Sequence, residues 1–418
     1  MKVVDVRTMR LEGPQQHSVG AKTGRRVVKL IVRVDADNGL YGLGEADDFM
    51  GVREAIEYIK ACLVGRSPFD VRPLLSEMLY GTLPPHPTNA RYDGRTFKTR
   101  VPTLFGIPVA LCSPTATPTG PIVWGMSGVE IALCDLVGKA LGTPVYNLLG
   151  GKFRDRVRIY LDRSSPIASN DLEAWKKMAA EVVEGGFTQM KFDAEYVAPE
   201  HTLDVWNRSL TTQQLRQIHE RLNAVRQTVG WGVEICLDAH MHYNTNDAIR
   251  LANELAPLKL MWLEDPTPIT NPDACAMVKE NSPIPICVGE MFIAEQFRLF
   301  IDRKACDIIH PDVMFSGGLH ETRKIADYAE LHYLPMAMHT NGGSLATIAA
   351  AHVAAASRNF LGLEYHHIEN RWVSEFVRRE GVALFKDGYL PLTDAPGLGV
   401  ELDPDICQQY LFPGESLF

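Results

Sequence analysis

The sequence predicts an α/β fold, a TIM-type (β/α) barrel preceded by a separate α+β domain, on three observations. From about Gly150 onward, short apolar runs alternate with helix-length amphipathic segments, the pattern of repeated βα units and a parallel sheet. Eight such runs fall within about 210 residues, which fits a barrel of ~250 residues better than an open sheet. The chain has 418 residues. A single core stops growing at roughly 250–300 residues, so a second, smaller unit is expected.

In chain order, residues 1–123 form the first unit. Val27 to Val34 and Leu40 to Glu45 flank the turn Asp37-Asn38-Gly39 and read as a hairpin, and helical spacing follows at 52–64 and 70–79. Residues 81–123 are rich in Pro, Thr and Gly, and a loop of that length is usually functional or mobile. The barrel is expected over 124–380, with strands at 157–161, 188–192, 233–237, 260–263, 286–288, 308–310, 335–338 and 361–363. Leu172, Trp175, Ala179 and Val182 share a helix face after a cap at Ser169-Asn170, and Gly185-Gly186 stops that helix. Leu215, Ile218, Leu222, Val225 and Val229 mark the next helix, ended by Gly230. The tail is expected to replace or displace the last helix.

Net charge of -9 and a pI near 5.8 exclude the basic stripe that a nucleic-acid surface needs, yet leave room for a small anionic substrate in a locally positive pocket. The eight cysteines form no CxxC pair and several sit in apolar runs, so buried thiols in a reducing cytosol are expected. The N-terminus lacks the apolar segment of a signal peptide, and no uninterrupted apolar stretch reaches membrane-spanning length. A cytoplasmic protein without a membrane or nucleic-acid partner is expected.

Three carboxylates stand directly after three consecutive expected strands: Asp238 in Cys-Leu-Asp-Ala-His, Glu264 in Trp-Leu-Glu-Asp-Pro and Glu290 in Cys-Val-Gly-Glu-Met. Any one of them alone reads more naturally as a helix cap. Three at a constant period of one βα unit, each closing an apolar strand, are much harder to obtain by capping. In a barrel they meet on the C-terminal rim, where active sites lie, and three hard oxygen ligands suit Mg²⁺. Zinc would want Cys or His at those positions.

The series continues with Asp312 in Ile-Ile-His-Pro-Asp, His339 in Met-Ala-Met-His-Thr and Glu364 in Leu-Gly-Leu-Glu-Tyr. An Asp on one strand can orient an imidazole on the next and raise its basicity, as a general base requires, so His339 with Asp312 is the candidate base. His310 is the rival, although Ile308 and Ile309 make it look like barrel packing. Lys191 and Asp193 share one face of the second strand, and a lysine there has no solvated side to point to. His240 shares a face with Asp238 just after the third strand.

The run Ser127 to Gly151, together with Trp-Leu-Glu-Asp-Pro at 262–266, Asp-Ile-Ile-His-Pro-Asp at 307–312, Ser-Gly-Gly at 316–318 and Asp-Gly-Tyr-Leu-Pro-Leu at 387–392, resembles the mandelate racemase subgroup of the enolase superfamily. The likeness covers nearly the whole chain. It implies a capping domain completed by the C-terminal tail, here 381–418. It further implies that Asp238, Glu264 and Glu290 bind Mg²⁺, that Asp312 and His339 form the base, and that Glu364 hydrogen-bonds the substrate carboxylate or enolate. A Lys or His base acting with Mg²⁺ on an enediolate is the general mechanism of that superfamily.

Members of the subgroup that work from both faces carry Lys-x-Lys on the second strand, whereas this chain has Lys191-Phe-Asp193. Asp238-Ala-His240 is similar to galactonate and mannonate dehydratases, in which the histidine after the third strand protonates the leaving hydroxyl. The resemblance therefore implies an acid-sugar dehydratase that forms a 2-keto-3-deoxy acid, with Lys191 stabilising the enediolate, and a homo-oligomeric assembly is expected. A racemase, epimerase or cycloisomerase would use the same metal and His339. Specificity is expected from loops near His17 to Arg25, Asp47 to Gly51, 81–123 and 194–211.

Overall fold

The computed structural model describes residues 1–14, 26–80, 103–104, 107–108, 119–163, 171–194 and 208–418. Most of the loops expected to govern specificity lie outside these residues, as does Cys112. The described cysteines form no disulfide, and all but Cys62 are buried.

The cap sheet has three antiparallel strands, Val3–Pro14, Arg26–Ala36 and Tyr41–Ala46. The last two form the expected hairpin. The first and longest strand, absent from the sequence reading, pairs along its length with Arg26–Ala36 and buries Val6, Met9 and Leu11 while Arg7 and Arg10 are half-buried. Helices Val52–Leu63 and Pro121–Leu141 pack on the sheet, and Val71–Tyr80 packs against both of them. Pro121–Leu141 is long and apolar enough to cross a membrane, but 83% of its apolar window is buried inside the protein. It lies against Tyr41–Ala46 so closely that a Cβ on Gly42 or Gly44 would fall on the carbonyl oxygens of Ala132 or Gly128. Only glycine permits that approach. The expected 123/124 boundary falls within this helix.

Eight parallel strands close the barrel: Arg156–Asp162, Gln189–Asp193, Glu234–Asp238, Trp262–Glu264, Ile286–Val288, Ile308–Ile309, Met336–Met338 and Phe360–Tyr365, with the eighth paired to the first. Each overlaps an expected strand. The helix Leu172–Glu184 is capped by Asp171, whose side chain accepts from the Glu173 N–H, and the expected cap at Ser169-Asn170 lies outside the described residues. Capping needs the side chain immediately outside the first helical turn, which fixes Asp171.

After the eighth strand the chain makes two short helices, Arg371–Glu375 and Pro404–Gln409. The tail then adds Tyr389–Pro391 antiparallel to the first barrel strand. It ends against the cap, where Leu411 bridges Leu11 and Glu415 pairs with Arg10 and Arg53.

Candidate active site

Because all eight strands run the same way, residues at their C-terminal ends share one rim. Asp238, Glu264 and Glu290 bring side-chain oxygens within 4.8 Å of one another there. Strand register sets the arrangement, with Asp193 beside Asp238 and Asp238 beside Glu264. Glu264 accepts from the buried Trp262 indole at 3.0 Å. The left-handed Asp265 (φ 34°) accepts from the Gly289 N–H and ties the fourth strand to the turn before Glu290.

Lys191 is the hub. Its buried ammonium lies 2.7 Å from Glu364 Oε1, 3.0 Å from Glu264 Oε1, 3.1 Å from Asp238 Oδ2 and 3.6 Å from Asp162 Oδ2. Burial alone would lower its pKa, but Glu264, Glu364 and Asp238 hold it well above the ordinary lysine value. Burial raises Glu364, yet Lys191, His366 and His339 bring it well below the ordinary carboxylate value. Glu264 is likewise lowered against burial, by His310 and Lys191.

His339 Nδ1 meets Asp312 Oδ2 at 2.7 Å, while Nε2 lies 3.4 Å from Glu290 and 3.8 Å from Glu364. Burial opposes its protonation, but Glu364, the Asp312 bond and Glu290 outweigh that and push it up to about 9. His310 does not touch the Asp312–His339 pair by hydrogen bond. It lies in the barrel interior with Nε2 3.1 Å from Glu264 and Nδ1 3.1 Å from the Ala337 carbonyl.

On the other flank, His240 Nε2 lies 3.4 Å from Asp238 Oδ2, and Asp193, Asp238 and His240 form one cluster. His240 and Met241 both take left-handed backbone angles, φ 42° and 60°, which aims the His240 side chain across Asp238. The structure thus brings all nine sequence-predicted site residues to one rim.

Three groups at the rim escaped the sequence reading. Asp162 ends the first strand as Asp238 ends the third, so the same strand-end rule would have found it. His366 stands two residues beyond Glu364, hence on the same face, with Nε2 3.4 Å from Glu364 Oε1. Phe315 stacks on His339 with centroids 6.1 Å apart, backed by Trp124 at 5.4 Å, and no short-range pattern predicts that contact.

The carboxylate set fits a divalent cation. Burial, with Glu264 and Glu290 nearby, pushes Asp238 up to about 8 despite Lys191 and His240. One ammonium is thus too little positive charge for the group, and oxygen donors of this kind suit a hard ion.

The enolase C-terminal domain-like family matches residues 174–406. The chain is 35% identical to a D-xylonate dehydratase of Haloferax volcanii over 93% of this chain and 87% of that one. It is 30% identical to an arabinonate dehydratase of Saccharolobus solfataricus over 70% of this chain and 73% of that one. A mandelate racemase/muconate lactonizing enzyme-like protein from Rubrobacter xylanophilus superposes with a TM-score of 0.83 at 32% identity, covering 99% of this chain and 98% of that one. Sequence, fold and rim agree: the chain is an enzyme of the enolase superfamily, in its mandelate racemase/muconate lactonizing enzyme-like group.

Proposed function

We propose that the chain is a Mg²⁺-dependent acid-sugar dehydratase that converts a 2,3-dihydroxy carboxylate to a 2-keto-3-deoxy acid and water. The observation that carries the reading is the His339–Asp312 pair on the same rim as the three-carboxylate set and His240. Superfamily members bind a divalent metal, and the relatives named for D-xylonate and arabinonate make five-carbon aldonates the first substrates to try.

Asp238, Glu264 and Glu290 are the ligands in this reading, and the bound ion supplies positive charge to the substrate carboxylate. A proton next to a carboxylate is too weakly acidic for an imidazole unless the developing negative charge is met by fixed positive charge. Lys191, held cationic by its carboxylate partners, supplies part of it. His339 takes the C2 proton, and Asp312 holds the ring so that Nε2 faces the substrate. Glu364 orients the carboxylate end.

His240, protonated, then donates to the C3 hydroxyl, which leaves as water while the C2–C3 double bond forms. The resulting enol loses the proton of its C2 hydroxyl as C3 takes one up, and becomes the keto acid. Acid and base follow the third and seventh of the eight strands, on opposite sides of the barrel mouth, which gives an anti elimination. Asp193, where a second base would stand in a racemase, supports one-sided chemistry.

The test is a screen of mono- and diacid sugars with Mg²⁺, read by semicarbazone formation of the keto acid. Keto acid from an aldonate supports the reading. Interconversion of C2 epimers in D₂O without keto acid would replace it by epimerisation.

A further inference from the structure

We propose that Lys29 of the cap is a positioning residue for His339, because it clamps the loop that follows the seventh barrel strand. The proposal rests on His339 being the base. Lys29 lies in the cap strand Arg26–Ala36 and is only 5% exposed. Its Nζ donates to the Asn341 carbonyl at 2.7 Å, two residues beyond His339. The Asn341 side-chain amide donates to Asp47 Oδ2 at 3.1 Å, and His367 Nε2 reaches the same Asn341 carbonyl at 3.3 Å. A few residues further on, the Gly343 and Ala346 N–H groups both donate to the buried Glu45 carboxylate.

Three cap side chains, Lys29, Glu45 and Asp47, therefore grip residues 341–346. This is the segment that leads from His339 into the helix Ser344–Ala356. That helix has a glycine at its N-cap, with no side chain to cap it, so Glu45 serves from the other domain. Burying an ammonium is unfavourable, and burial does lower Lys29, against the opposing charges of Glu45, Asp47 and Asp312. An apolar residue would fill the same space without that cost. What the ammonium adds is a directed bond to one carbonyl beside the base and a charge near Asp312. Docking of the cap thereby fixes the imidazole, so a loosened clamp should slow proton abstraction without weakening substrate binding.

Lys29→Met and Lys29→Arg should be compared with the unaltered protein in steady-state turnover and in amide hydrogen exchange. In Lys29→Met, kcat should fall roughly 10- to 100-fold with KM within about 3-fold, since a small misplacement of a reacting group can cost that much. Amides of 341–346 should exchange at least about 10-fold faster while those of the third barrel strand stay unchanged. Lys29→Arg should recover most of both. Unchanged kcat with unchanged exchange, or a rise in KM alone, would overturn the proposal. Should Lys29→Met fail to fold, Lys29→Gln, whose shorter neutral side chain breaks the bond to the Asn341 carbonyl, takes its place and should likewise lower kcat and speed exchange; no change in either overturns the clamp. Lack of any acid-sugar turnover in the unaltered protein would sink the dehydratase reading instead, and the exchange data would still decide the clamp.

Discussion

The Nδ1 of His339 lies 2.7 Å from Asp312 Oδ2, which leaves Nε2 as the nitrogen directed toward Glu290 and Glu364. A carboxylate partner on Nδ1 fixes the tautomer with a free lone pair on Nε2 once the ring is neutral. His339→Asn should therefore abolish turnover while Mg²⁺ affinity, measured by calorimetry, stays within a few-fold. Asp312→Asn should lower kcat by about 10²- to 10⁴-fold, the usual contribution of a positioned base. Turnover by His339→Asn close to that of the unaltered enzyme would remove the base from the mechanism.

Removing divalent metal with EDTA should stop catalysis, and Mg²⁺ should restore it. The same titration should raise the melting temperature, because an ion that binds only the folded chain stabilises it by mass action. Glu290→Gln should weaken both responses together. A melting temperature indifferent to Mg²⁺ would argue against the three-carboxylate site.

For His240, the two half-reactions should separate. His240→Asn should depress keto-acid formation more than exchange of the C2 proton with D₂O, because the acid acts after the base. Equal loss of both would move His240 out of the acid role.

His352 offers a pH test away from the active site. Its Nδ1 accepts from the Tyr146 N–H at 3.1 Å and its Nε2 faces the Leu398 carbonyl at 3.3 Å. Both bonds need the neutral Nε2–H ring, and burial lowers the group from 6.5 to about 4. A depressed folded-state value means the unfolded chain takes up the proton first. The contribution is therefore fully present above pH 6.5 and is lost as pH falls toward 4. Chemical denaturation should lose about 2 kcal/mol between pH 7 and pH 5 on this account. His352→Gln should flatten that difference, and an equal pH slope in both proteins would refute the assignment.

Lys191→Met should leave Asp238, Glu264 and Glu364 without their shared cation. Breaking a buried ion pair from one side typically destabilises by about 3–5 kcal/mol. The loss should be read by denaturant unfolding without Mg²⁺ and should shrink when Mg²⁺ is added, since the ion supplies replacement charge. A stable variant insensitive to Mg²⁺ would contradict this account of the rim.

The barrel and most of its rim are legible in the order of residues alone, because both rest on local periodicity. Each apolar strand ends where a polar side chain begins, and a parallel sheet carries every such end to the same face. That is why Asp238, Glu264, Glu290, Asp312, His339 and Glu364 were legible one βα unit at a time. The longest cap strand, Val3–Pro14, was not legible, since its charged outward face hides the alternation and its partners are Arg26–Ala36 and the tail. Tertiary structure also decided which of His310 and His339 meets Asp312, a matter of side-chain direction across two strands. It alone joined Lys29 to Asn341 and Phe315 to His339, because these contacts depend on how the cap and the rim loops pack over the barrel, and no repeat in the sequence encodes that.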